Sequence, residues 1–149
     1  MSQPRTASRL WILYAAWGCA LASLLHIVTI IAGPDWFDFL GAPPEYGQMM
    51  RDGDWVFPVA VTLGIAAILA IWSAYAFGAA GAIKRLPLTR IICWAVAAIF
   101  LLRGAGGIPL MIFVMLQTGF TALTAFHLAA SVYILSLGVG FVFAARARR

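Results

Sequence analysis

The sequence has 149 residues, of which 64% are hydrophobic and 10% are charged. Soluble domains are nearer half apolar, so this composition excludes one and calls for an integral membrane protein. The formal charge of +5 is therefore to be read against a bilayer, and a nucleic-acid partner is not expected.

A helix needs about 20 apolar residues to cross a hydrocarbon core about 30 Å thick, and four stretches qualify. The first runs from Leu10 to Ala32 without a charge. Arg5 and Arg9 ahead of it imitate a signal peptide, but the run is 23 residues long. That exceeds an h-region of roughly 7 to 15 residues, and the run is read as a retained span. Residues 33–54 form the only long loop. Pro near the start and Gly just past the end of two segments predict short helical turns, about 35–40 and 44–52. Trp36, Phe37, Phe39, Tyr46 and Trp55 are placed to anchor at headgroup depth, with a lid over an outward cavity as the alternative.

The second span runs from Trp55 to Ile83, uncharged, and the third from about Leu88 to Leu116, interrupted by Arg103. After a hairpin at 117–120 the fourth runs from about Phe120 to Ala145. Strands of a β-barrel would alternate over about ten residues, whereas these runs are continuously apolar. The expected fold is all-α: one domain over 1–149, a four-transmembrane-helix up-down-up-down bundle with spans one and four adjacent. Lipid gives no hydrophobic drive to helix association, so small residues mark packing faces. Candidates are Ala66, Ala70, Ala74 and Gly78 on span two, Ala15, Cys19 and Ser23 on span one, and Ala130, Ser131, Gly138 and Gly140 on span four. Cys19 and Cys93 lie inside apolar runs and read as unpaired core thiols.

Charge orients the chain. Arg5 and Arg9, then Lys84, Arg85 and Arg90, then Arg146, Arg148 and Arg149 flank the spans on one side, the cytoplasmic side by the positive-inside rule. All the acidic residues, Asp35, Asp38, Glu45, Asp52 and Asp54, sit in loop 33–54 with Arg51, which is expected outside, periplasmic or extracellular. The basic rim is suited to anionic headgroups. Nine Arg against one Lys, with much Ala and Gly, points to a bacterial inner membrane.

Three ionisable residues lie inside the spans. Arg103 is 13 residues beyond Arg90, about 20 Å at 1.5 Å per residue, hence near the bilayer centre. Such an Arg costs roughly 2.5 to 3.5 kcal/mol on insertion scales and is expected to face the bundle or a wet cavity. No intramembrane carboxylate exists to pair with it. Pro109 leaves the Ala105 carbonyl without its N–H partner, an acceptor for the guanidinium and the expected place of a kink. Gly106 and Gly107, at i+3 and i+4 from Arg103, allow a backbone or ligand to come close.

His26 and His127 fall at similar depths, about 7 and 6 Å outward of their span midpoints. Each has hydroxyl company on its face, Ser23 and Thr29 for His26, Thr124 and Ser131 for His127. Three roles are open to them: interhelical hydrogen bonding, a polar pocket with Arg103, or axial ligation of a b-type haem with Arg103 near a propionate.

No Walker or dinucleotide motif, paired carboxylates or zinc spacing is present, and an enzyme is not favoured. The acids on which small multidrug exporters and sterol isomerase-like proteins rely are missing. The segments Gly41-Ala42-Pro43, Lys84-Arg85-Leu86-Pro87-Leu88 and Leu101-Leu102-Arg103-Gly104 resemble those of small uncharacterised four-span proteins of bacterial inner membranes. That resemblance implies fold and location and brings no activity. The expected function is binding of an amphiphile or anionic lipid headgroup, as a binding or transport component. The expected site is formed by His26, Arg103 and His127 with Ser23, Thr124, Ser131, Gly106 and Gly107. The alternatives are a haem electron-transfer protein and an accessory subunit of a larger membrane complex; a homo-oligomer fits any of these.

Overall fold

The computed structural model describes residues 6–147. Arg5, Arg148 and Arg149, counted among the basic markers above, lie outside the described residues. Six helices follow in order: α1 (Thr6–Ala32), α2 (Pro34–Phe39), α3 (Pro44–Arg51), α4 (Val56–Ala79), α5 (Thr89–Thr118) and α6 (Ala122–Arg146). The protein is all-α. Its four long helices contain 27, 24, 30 and 25 residues, so at 1.5 Å per residue each exceeds the roughly 30 Å hydrocarbon core. All four are long and apolar enough to span a membrane.

The short helices start and stop where the sequence signals fall. α2 and α3 each carry Pro at the first turn, where its missing N–H is not needed. The second span ends four residues earlier than its apolar run, because Gly81 takes φ 73°. There the Ala82 N–H donates to the Phe77 carbonyl and the Gly81 N–H to the Gly78 carbonyl. This is a Schellman close, which satisfies the last carbonyls of α4 and needs a residue free to be left-handed.

The chain divides into two compact units, Met1–Gly18 with Trp72–Arg149, and Cys19–Ile71. In the first unit all four long helices come together. Ser73 Oγ of α4 donates to the Ala16 carbonyl of α1 at 2.8 Å, and the Tyr14 hydroxyl pairs with Ser136 of α6 at 2.6 Å. Gly140 lies against Trp11 and Ala15, so α1 and α6 are neighbours as short connections require. Phe100 of α5 meets Trp72 of α4 and Phe141 of α6 edge to face at 5.4 and 5.7 Å, filling the centre of this unit.

In the second unit Ser23 Oγ of α1 donates to the Ala66 carbonyl of α4 at 2.7 Å. Arg51 holds α3 to α2 through Asp38 at 2.6 Å and Asp35 at 2.8 Å. Phe37, expected as an outward anchor, is instead 2% exposed; Trp36, Phe39 and Trp55 remain exposed.

The small-residue stripes are part right. Ala15, Cys19 and Ser23 are buried, but on α4 Ala70 is exposed and Ala74 half-exposed. A repeat of four residues drifts about 40° per step around a helix of 3.6 residues per turn, so it cannot stay on one face. The buried face of α4 is Thr62, Ala66, Leu69, Ser73 and Ala76, which alternates threes and fours. Cys19 and Cys93 are free and buried.

Candidate functional site

Arg103 is the fifteenth of the 30 residues of α5, so a helix centred in the bilayer carries it at mid-depth. Its side chain is exposed rather than enclosed, as is the neighbouring Leu102. The unit that contains it has nine of the ten basic residues and none of the five carboxylate side chains. Among the described residues the only side-chain ion pairs are those of Arg51. Helix α5 is continuous through Pro109, and the Ala105 carbonyl does not take the guanidinium of Arg103 by any hydrogen bond among the described residues. The mid-span charge therefore has no protein anion beside it in its unit.

What stands beside it is set by the antiparallel pairing of α5 with α6. Gly104 lies against the backbone of Leu135 and Gly138 against that of Leu101. One turn further, a Cβ on Gly107 would lie 2.5 Å from Ser131 Oγ and 4.0 Å from Arg103 Nη1. The guanidinium thus reaches along α5 toward Gly107, the glycine against which Ser131 Oγ packs across the interface. Gly106 has nothing within 4 Å of a Cβ position, so the surface next to the guanidinium is open. Gly104 is the residue that the sequence reading missed. Its signal was present, since Gly104 and Gly107 lie on one helix face at i and i+3.

His127 is not brought to the same level. Continuing the pairing of 107 with 131 puts His127 opposite about residue 111, roughly 12 Å along the axis from Arg103 at 1.5 Å per residue. Its carbonyl accepts from Ser131 Oγ at 2.9 Å, and its half-buried ring stands edge-on to Phe126 at 5.5 Å. Thr124 is committed to the start of α6. It exchanges side-chain and backbone hydrogen bonds with Thr121 at 3.0 and 3.1 Å, a capping box built from two threonines.

Ser23 and His26 belong to the second unit. His26 Nδ1 is 2.7 Å from the Ala22 carbonyl. A carbonyl only accepts, so Nδ1 is the donor. Thr29 similarly donates to Leu25 at 2.7 Å. Of the two hydroxyls beside His26, Ser23 is thus an interhelical donor and Thr29 bonds only to its own helix.

No protein-family model, curated protein or solved structure matches this chain. Of the resemblance noted above, the four-span architecture is what stands.

Proposed function

We propose that this multi-pass membrane protein binds the anionic group of an amphiphile at Arg103, with Gly106 as the open approach. One observation carries the reading: a guanidinium at the middle of a span, exposed, in a unit without a single carboxylate side chain. An unpaired arginine at that depth is costly. A phosphate or carboxylate supplied by a ligand offsets that cost through charge-assisted, bidentate hydrogen bonds. Gly107, next to Arg103 Nη1, packs closely on Ser131, and exposed apolar residues such as Leu102 and Leu110 suit an acyl chain. By the positive-inside rule, Arg9, Lys84, Arg85, Arg90 and Arg146 face the cytoplasm of a bacterial cell, and loop 33–54 lies outside its inner membrane.

The test is a thermal unfolding series in non-ionic detergent with lysophosphatidylglycerol or lysophosphatidylcholine added. The anionic lipid is expected to raise the unfolding temperature of the parent, and Arg103→Gln is expected to lose part of that rise. Equal shifts with both lipids, or an unchanged shift in Arg103→Gln, would remove the proposal.

The hydrogen bond from His26 Nδ1 to the Ala22 carbonyl supports a second reading, since a histidine that ligates iron through one nitrogen commonly donates from the other to a carbonyl. A Soret band in protein from haem-replete cells, lost in His26→Ala, would make this a b-type haem protein. A colourless protein would remove that reading.

A further inference from the structure

A second anion site, independent of Arg103, lies at the basic ends of α5 and α6. A cavity of about 810 Å³ opens there, lined by Arg85, Arg90 and Arg146 together with Leu88, Thr89 and Ile91. We propose that it holds the phosphodiester headgroup of an anionic phospholipid.

The chemistry of the lining fits an oxyanion. Arg85 is fixed by donating Nη2 to the Ala147 carbonyl at 3.0 Å, which leaves its other N–H groups uncommitted. Arg146 is held over the Trp94 ring at 5.7 Å, a cation–π contact that orients the guanidinium without using its donors. Arg90 is exposed, and this unit has no carboxylate side chain with which any of the three could pair.

Backbone donors add to them. Helix α5 starts after Leu88, which has φ 55° and caps the helix with no side-chain hydrogen bond. Leu88 is the only described non-glycine residue with positive φ. The first amide of this helix with an acceptor is that of Ile92, which donates to the Leu88 carbonyl at 3.0 Å. The amides of Thr89, Arg90 and Ile91 stay open at the positive end of a 30-residue helix, where an anion is favoured.

The ligand is assigned as a lipid rather than a soluble phosphate because of what flanks the charges. Leu88 and Ile91 are 67% and 63% exposed, and Trp94 one turn further is the residue type that seats at headgroup depth. A basic pocket between spans, with apolar side chains on its membrane side, matches a headgroup with acyl chains attached.

The full chain, purified in non-ionic detergent, is titrated by native mass spectrometry with phosphatidylglycerol, phosphatidylcholine and inorganic phosphate. The first phosphatidylglycerol is expected to bind at least about fivefold more tightly than phosphatidylcholine. Arg90→Gln removes no hydrogen bond present in the structure and is expected to weaken that binding about fivefold, with a further loss in Arg90→Gln/Arg146→Gln. Lys84→Gln removes the same charge from a residue outside the cavity and is expected to change it less than about twofold. In an Arg103→Gln background the loss caused by Arg90→Gln is expected to persist, which separates this site from the mid-span one. Equal affinity for the two lipids, or equal losses in Arg90→Gln and Lys84→Gln, overturns the proposal. Displacement of phosphatidylglycerol by millimolar inorganic phosphate would make the ligand a soluble anion and overturn the assignment to lipid.

Discussion

Gly106 and Gly107 are adjacent on α5 and differ in what faces them. A Cβ at Gly107 would lie 2.5 Å from Ser131 Oγ, whereas one at Gly106 meets nothing within 4 Å. Gly107→Ala should therefore destabilise the protein by about 1–3 kcal/mol through overpacking. Gly106→Ala should stabilise it by about 0.4–1 kcal/mol, by restricting the unfolded chain at a site with room for the methyl group. Thermal unfolding in detergent reads both, and shifts of the same sign would contradict the assigned faces. Arg103, His26 and His127 were legible in the sequence because an ionisable group inside an apolar run stands out by itself. Which of them share a level was not legible, because that depends on how α5 pairs with α6. Gly104 against Leu135 fixes a pairing that sets Ser131, not His127, beside the guanidinium. Ser73 went unnoticed for the opposite reason, as one hydroxyl among apolar neighbours with no charge to draw attention. Its bond to the Ala16 carbonyl should be worth about 0.6 kcal/mol, to be read as the stability lost in Ser73→Ala, and a neutral substitution would show that the bond contributes nothing to holding α4 on α1.

At the scale of elements, α2 and α3 are joined by one cation. Arg51 is held above its ordinary pKa by hydrogen bonds from its guanidinium to Asp38 and then to Asp35. A raised pKa on a basic group means that the guanidinium stays charged throughout the neutral range and that its contribution is lost, on the alkaline side, only in strong alkali. Protection of the α2–α3 amides from hydrogen exchange should accordingly be flat from about pH 6 to 9. It should fall with added salt, because both partners are solvent-exposed. Arg51→Gln should show the low protection at every salt concentration; protection that ignores salt in the parent would mean that the ion pairs do not join these helices. The limits of α2 and α3 were readable because Pro and Gly bracket them. The end of α4 was not, since residues 79–83 stay apolar while the backbone turns at Gly81. Hydropathy records transfer cost and is blind to a left-handed turn. The same blindness put Ala70 on a packing face, where counting by fours overlooked the rotation of the helix.

For the whole molecule the governing feature is the separation of charge. All five carboxylate side chains lie between residues 35 and 54, and nine of the ten cations lie elsewhere. If the positive-inside rule sets the orientation, a cysteine at exposed Gln48 should react with an impermeant maleimide on intact cells. One at exposed Lys84 should react only after lysis; labelling from outside at 84 and not at 48 would reverse the proposed topology, and labelling at both would break it. The same separation leaves the unit of Arg103 without a carboxylate side chain, and the proposed function rests on an amphiphile supplying the counter-charge. The most direct measurement is mass spectrometry of the lipids and other amphiphiles that remain on the protein after extended detergent washing, for the parent and for Arg103→Gln. Up to two acidic amphiphiles per chain are expected on the parent, one of which is lost in Arg103→Gln while the unfolding temperature stays close. An identical set of retained molecules on both proteins would contradict the proposed function.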